Sequence, residues 1–147
     1  MCILLELLCF RSDINLYKKK SRDVRIVLKM TRNELSESRL ELKESLCRGT
    51  LRTVAALGAG DAHLRGLLLY HLHAALAERA RRSPDQYEEL KSEIEITIEQ
   101  AYNILQGDIS APPDLELRRQ YLGPGCDKPQ EERFFILDSP DKVTNTL

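Results

Sequence analysis

The sequence predicts an all-α fold, a small antiparallel bundle of about three to four helices with irregular segments at both ends. Leucine, isoleucine and alanine dominate the apolar residues, whereas aromatic residues make up 5% of the chain and tryptophan is absent. This composition suits packed helices better than a β-sandwich. Apolar residues recur at helical spacing between positions 51 and 123, and glycine and proline clusters divide that stretch. The divisions predict separate, successive helices.

The first helix is predicted to begin at a capping box formed by Thr31 and Glu34. Gly49 lies inside it, so one long helix and two shorter pieces both fit the sequence. Gly58 and Gly60 supply the backbone freedom to end it. Its core stripe is predicted to consist of Leu35, Leu42, Leu46, Val54 and Leu57.

The second helix is predicted to be the most buried one. Asp61 is its expected N-cap. Residues 67–72 are apolar almost all round, which is typical of a helix enclosed by others. The small residues Gly66, Ala74 and Ala75 predict the close approach of a neighbouring helix.

The third helix has the most regular apolar stripe. Ser83 is the expected N-cap, with Pro84 at the first helical position and Gln86 completing a capping-box variant. The stripe is typical of one side of an intramolecular bundle, and it also fits an intermolecular coiled coil. From this stripe come the candidate protein-binding residues Leu90, Ile94, Ile98 and Leu105.

A short last helix is predicted from Leu115 to Leu122, before the turn that starts at Gly123. The chain is then polar except for residues 134–137, which either anchor against the helices or stay loose. The expected organisation is therefore a lead-in (1–30), a helical domain (31–123) and a polar tail (124–147).

The lead-in combines an apolar and a basic stretch. Residues 1–10 lack the basic start and the cleavage site of a signal peptide, and they are too short to span a bilayer. Residues 24–30 fit a short strand or an extended segment. A basic patch consists of Lys18, Lys19, Lys20, Arg22 and Arg25. It is either a solvated surface or a nuclear-localisation or anionic-surface patch.

Charge and motifs limit the classes of function. The net charge of −1 argues against nucleic acid as a specific partner. The sequence has no Gly-rich phosphate loop, no GxSxG and no HExxH motif. Its four cysteines share no short spacing, so free thiols in a reducing, intracellular compartment (cytoplasmic or nuclear) are expected, without a zinc site. We expect neither enzyme activity nor a cofactor.

The run from Leu57 to Ala74 resembles the C-terminal helical region of the SET-and-MYND (SMYD-type) methyltransferases, particularly the arthropod SmydA-like group. A Gly-containing turn leads there into a Leu-Arg-Gly-aliphatic helix. Residues 101–105 and 109–117 match the leucine-rich helix end and Pro-containing loop that follow, so the resemblance covers roughly residues 32–123. It implies a family that transfers methyl groups from S-adenosylmethionine to protein lysine and carries zinc. The chain shows neither the family's Asn-His-Ser-Cys type of cofactor motif nor its clustered cysteines.

The resemblance implies a non-catalytic, protein-binding scaffold, a truncated product that keeps only this C-terminal region. Loss of the SET neighbour would uncover apolar surface, which predicts self-association or dependence on a protein partner. The alternative is an independent helical adaptor or oligomerisation module unrelated to methylation. A third hypothesis is a peripheral membrane binder that uses the leucines of residues 4–8 and Phe10 with the lysines of residues 18–20.

Overall fold

The structure is a computed structural model that describes residues 35–58 and 62–137. These residues form five α-helices and no strand: α1 (Glu37–Leu57), α2 (Ala62–Arg82), α3 (Tyr87–Leu105), α4 (Leu115–Leu122) and α5 (Gln130–Leu137). A short 3-10 helix, Pro84–Gln86, precedes α3. The all-α prediction is confirmed. The lead-in with its basic patch, the capping box at Thr31 and the N-cap at Asp61 lie outside the described residues.

The second helix lies between the first and the third. Its N-terminal half packs against the C-terminal half of α1, where Leu64 and Leu68 contact Val54. Gly66, near the start of α2, lies against Leu105, at the end of α3. α1, α2 and α3 therefore form an up-down-up bundle. α4 packs against α3, and α5 packs against α4.

α1 is one continuous helix. Ser36 is its N-cap, and the Ser36 hydroxyl accepts a hydrogen bond from the Arg39 amide at 3.4 Å. The helix therefore begins later than the predicted start at Thr31. It runs unbroken through Gly49 and ends at Gly58, whose φ of 61° is the left-handed conformation of a helix C-terminus.

The buried side of α1 differs from the predicted stripe. Leu40, Cys47 and Val54 are buried, but Leu42 is 45% exposed. Lys43 takes a place in the interior and is only 4% exposed. The predicted stripe was therefore wrong at Leu42, and Leu46 is only partly buried, because the prediction followed the leucines while the fold buries a neighbouring line of residues.

α2 is the most buried helix, as predicted. Twelve of its 21 residues are buried, and Leu76 and Ala80 are completely inaccessible. Burial on every side fits its place between two neighbours. None of the described helices has both the length and the apolar character that crossing a membrane requires.

Gly66 permits the close approach of α2 and α3. A Cβ atom added at Gly66 would lie 2.7 Å from a side-chain carbon of Ile104 and 2.9 Å from Leu105, closer than packed carbons allow.

We expect Gly66→Ala to lower the free energy of unfolding by about 1–3 kcal/mol, the usual cost of overpacking. Urea denaturation measures this. Gly49→Ala is the matched control, since its added Cβ would meet nothing nearer than 3.9 Å. A gain in stability at Gly66 would contradict the close approach.

α3 does not start at the predicted capping box. Ser83 makes no side-chain capping bond. The Gln86 side-chain oxygen accepts a weak hydrogen bond from Arg79 at 3.4 Å and does not reach back to the helix start. The 3-10 helix makes the first turn instead.

The tail is helical in part, because residues 130–137 form α5. Phe134 is buried, and its ring meets the Tyr87 ring edge to face, with centroids 6.0 Å apart. Arg133 donates to the Tyr87 hydroxyl and to the Cys126 carbonyl. Of the two alternatives for residues 134–137, the anchored one is confirmed at Phe134.

Candidate interaction surface

The candidate protein-binding residues of α3 belong to the interior. Leu90, Ile94, Ile98 and Leu105 are 8%, 1%, 0% and 0% exposed. They pack in apolar clusters with residues of α2, among them Leu72 for the first pair and Leu69 for the second. This corrects the expectation that they form a binding surface, because α2 already covers the stripe that α3 presents.

An exposed apolar stripe lies instead on α1. We term it the outer face; it consists of Leu42, Leu46, Gly49, Thr53 and Ala56. These residues follow one another at spacings of four, three, four and three, which places them along one side of the helix. Leu42 and Ala56 are exposed, and the other three are partly exposed. α1 therefore has two apolar sides, one in the bundle and one in solvent.

The outer face contains an open depression of about 540 Å³ around Gly49. Two of the three hydroxyl groups at its edge, those of Thr50 and Thr53, are satisfied within the helix. The Thr50 hydroxyl donates to the Leu46 carbonyl at 2.7 Å, and the Thr53 hydroxyl donates to the Gly49 carbonyl at 3.0 Å. An apolar partner can therefore cover the depression without leaving these donors unsatisfied.

Charged side chains fix α1 against the other two helices. The Arg48 guanidinium donates to Glu93 on α3 at 2.6 and 2.7 Å and to Glu44 at 3.0 Å. Glu44 also accepts from Arg79 on α2 at 2.7 and 2.8 Å. The hydrogen bonds from Arg48 lower the pKa of Glu93. Because the network joins all three helices, the outer face has a fixed orientation relative to the bundle.

Sequence reasoning missed a buried polar cluster shared by α1, α2 and α4. Arg118 is 5% exposed, and its Nε donates to Asp114 at 2.6 Å. The Tyr70 hydroxyl donates to the other oxygen of the same carboxylate. Burial alone would raise the pKa of Asp114, but Arg118 and the Tyr70 hydroxyl hold it below its usual value. The Asp114 carboxylate thereby ties α4 to α2.

Lys43 and Cys47 complete the α1 side of this cluster. Burial, with a smaller contribution from Arg118, lowers the pKa of Lys43 to about 8. Burial raises the pKa of the Cys47 thiol to about 12, so the sulfur is protonated at neutral pH and is a poor nucleophile. Across residues 35–58 and 62–137, no group of three or more His, Cys, Asp or Glu side chains could hold a metal ion. The cluster has the character of a structural network.

One buried and one partly buried histidine of α2, His73 and His71, lie in the same region. The His73 ring is inaccessible; its Nδ1 lies 3.1 Å from the Ile94 carbonyl, to which it donates, and its Nε2 is buried without a partner. His71 Nδ1 is likewise buried without a partner. Burial, with Lys43 and Arg118 nearby, lowers the pKa of His73 to about 3 and that of His71 to about 4. Both rings are therefore neutral in the folded protein.

We expect the stability to fall as the pH drops below about 6.5, the ordinary pKa of histidine in an unfolded chain. Because both folded pKa values are lower than that, protons bind the unfolded state first, and stability present above pH 6.5 is lost toward pH 4. Each histidine contributes at most about 1.4 kcal/mol per pH unit in this window. Urea denaturation at several pH values between 7 and 5 measures the slope.

The controls for this pH dependence are two single substitutions. His73→Asn keeps an N–H donor for the Ile94 carbonyl but does not titrate, so its slope should be shallower. His63→Gln alters a partly exposed ring paired with Asp108 and should leave most of the slope unchanged. A His73→Asn slope equal to that of the original chain would contradict the assignment.

Comparisons with protein-family models, with curated proteins and with solved structures found no match to this chain.

Proposed function

We propose that this chain is a non-catalytic helical scaffold that binds another protein through the outer face of α1. The observation that carries the proposal is an apolar stripe, spaced for helix pairing, that stands in solvent with Leu42 45% exposed. An amphipathic helix of a partner can pack against such a stripe through apolar residues at the same spacing. The charged network of Arg48 keeps the stripe in place, which lowers the entropic cost of binding.

The chemistry of the interior supports a structural role. The Cys47 thiol is protonated at neutral pH because burial raises its pKa. The Asp114 carboxylate is engaged by Arg118 and Tyr70. The Asp114 carboxylate thus holds helices together, and the Cys47 thiol is a poor nucleophile.

The proposal extends to origin: the chain is a remnant of a SMYD-type methyltransferase that keeps the C-terminal helical region. Its support is the resemblance of the run from Leu57 to Ala74 to that region of the family.

We expect the purified chain to bind neither S-adenosylmethionine nor stoichiometric zinc. Isothermal titration calorimetry and metal analysis measure these. Micromolar cofactor binding, or one zinc per chain, would contradict the proposal.

The alternative, an independent adaptor, is favoured by one observation. The α3 stripe from Leu90 to Leu105 is covered by α2 of the same chain, so this stripe needs no neighbouring domain. Genomic sequence upstream of the Met1 codon separates the two origins. A SET reading frame there supports the remnant, and its absence supports the adaptor. Both origins keep the same binding surface.

Site-specific photocrosslinking tests the surface itself. A benzophenone amino acid at Leu46, on the outer face, should form an adduct with a partner protein in cells. The same group at Asn103, an exposed position of α3, is the matched control. Adding Leu42→Glu to the same chain should abolish the adduct. Without that substitution, the adduct should also form when the purified chain is mixed with the purified partner protein. Equal labelling from both positions would contradict a specific surface on α1.

A further inference from the structure

We propose that the outer face pairs with the outer face of a second copy of this chain, so that two α1 helices run antiparallel about a two-fold axis next to Gly49. This inference rests on the proposed function, because it names the partner of the same surface. Such a pairing is isologous, which means that the same patch serves both copies and the assembly closes as a dimer.

The order of residue sizes along the outer face supports antiparallel self-pairing. Gly49 lies midway between Leu42 and Ala56 in the sequence. The two leucines lie on one side of Gly49, and Thr53 and Ala56 lie on the other. An antiparallel copy places Leu42 opposite Ala56 and Leu46 close to Thr53, so each large side chain meets a small one. A parallel copy would place leucine on leucine and small on small, which leaves a gap at one end.

Gly49 gives the crossing point of the two helices. It has no side chain, and space around its missing Cβ is open to 3.9 Å, where the Arg52 guanidinium lies. The distance between packed helices depends on the side chains at the contact, so a glycine allows a short one. The depression around Gly49 is then the space that Leu46 of the second copy fills.

The polar residues beside the stripe agree with the same pairing. Glu41 and Arg52 are exposed and lie on one flank of the outer face, on either side of Gly49 along the helix. In an antiparallel pair the like flanks face each other, so Arg52 of each copy lies toward Glu41 of the other. Two opposite-charge pairs at the rim favour this orientation and oppose the parallel one.

The expected dimer is weak. Four turns of one helix give an area at the low end of specific interfaces, so dissociation in the micromolar range or above is expected. Sedimentation velocity of the full chain from about 1 μM to about 1 mM covers that range. The average mass should rise from monomer to dimer without larger species.

Two substitutions to glutamate test where the contact lies. Leu42→Glu, on the outer face, should weaken dimerisation about tenfold or more, the usual loss at a buried interface anchor. Ile96→Glu is the matched control, because Ile96 is an apolar residue of similar exposure, 51%, on α3 and not on α1. It should leave the mass curve unchanged. Circular dichroism shows that each variant remains folded.

Gly49→Ala is expected to stabilise the monomer and to weaken the dimer. In a single helix, alanine is more favourable than glycine, so the thermal midpoint of the dilute monomer should rise. At the crossing point the added methyl separates the helices, so dimerisation should weaken. Arg52→Glu should also weaken it, and addition of Glu41→Arg should restore it.

A monomeric mass at every concentration, or Ile96→Glu acting as strongly as Leu42→Glu, would overturn the inference. An adduct from position 46 to another part of the same chain would overturn it as well, because the surface would then be internally covered. The proposed function fails separately, when position 46 yields no specific protein adduct of any kind.

Discussion

Replacing Asp114 with alanine is expected to lower the free energy of unfolding by about 3–5 kcal/mol, because it leaves a buried guanidinium without its counter-ion. The Arg118 side chain is 6% exposed, and its Nε donates to Asp114 at 2.6 Å. The Tyr70 hydroxyl loses its acceptor in the same substitution. Urea denaturation followed by circular dichroism measures the loss.

Two further variants show whether the unpaired charge is the cause. Asp114→Ala combined with Arg118→Met removes both charges and should recover much of the stability. Glu99→Ala breaks the Glu99–Arg119 pair on the surface, where both side chains are about one-third exposed, and should have a much smaller effect. Comparable losses from the buried and the surface pair would contradict the argument.

Shortening a buried leucine side chain of α2 to alanine is expected to lower the free energy of unfolding by a similar amount. Leu68 and Leu72 are 1% and 4% exposed. Leu68→Ala and Leu72→Ala should each lower the free energy of unfolding by about 2–5 kcal/mol, through lost apolar contact and the cavity that remains. Leu42→Ala, at a 45% exposed position, is the control measured in dilute solution. Losses of about half a kcal/mol at both core positions would mean that α2 is not the centre of the fold.

The helices themselves could be predicted from the sequence because local signals determine them. Apolar spacing and the breaks at Gly58 and Ser83 place α1, α2 and α3, and Gly66 was expected to permit a close helix contact. At the start of α3, Ser83 makes no capping bond and the Gln86 side chain accepts from Arg79, a partner seven residues away. Local rules do not weigh such competing hydrogen bonds.

The exposed apolar stripe of α1 could not be predicted in the same way. Periodicity shows which residues share a side of a helix, but not which neighbour covers that side. The regular stripe with Ile94 and Ile98 lies against α2, while the stripe with Leu42 remains exposed. The burial of Lys43 was hidden for the same reason, since a lysine next to a leucine gives no local sign of being enclosed.

The buried polar cluster around Arg118 is even harder to predict from the sequence. Tyr70 and Asp114 are 44 residues apart, and their contact forms only when α4 packs onto the bundle. The helix that begins at Leu115 could be predicted, but Asp114 could not be identified as the partner of a buried arginine. Contacts between distant segments need the tertiary fold.

The ion pairs of Arg48 and Glu44 also determine how the protein responds to dissolved salt. α2 and α3 are held by apolar clusters and by the close approach at Gly66, which added electrolyte does not weaken. α1 depends in addition on partly exposed charges that reach Glu93 and Arg79, and electrolyte screens these. Rising ionic strength therefore loosens α1 first and leaves the α2–α3 hairpin as the last cooperative unit to open.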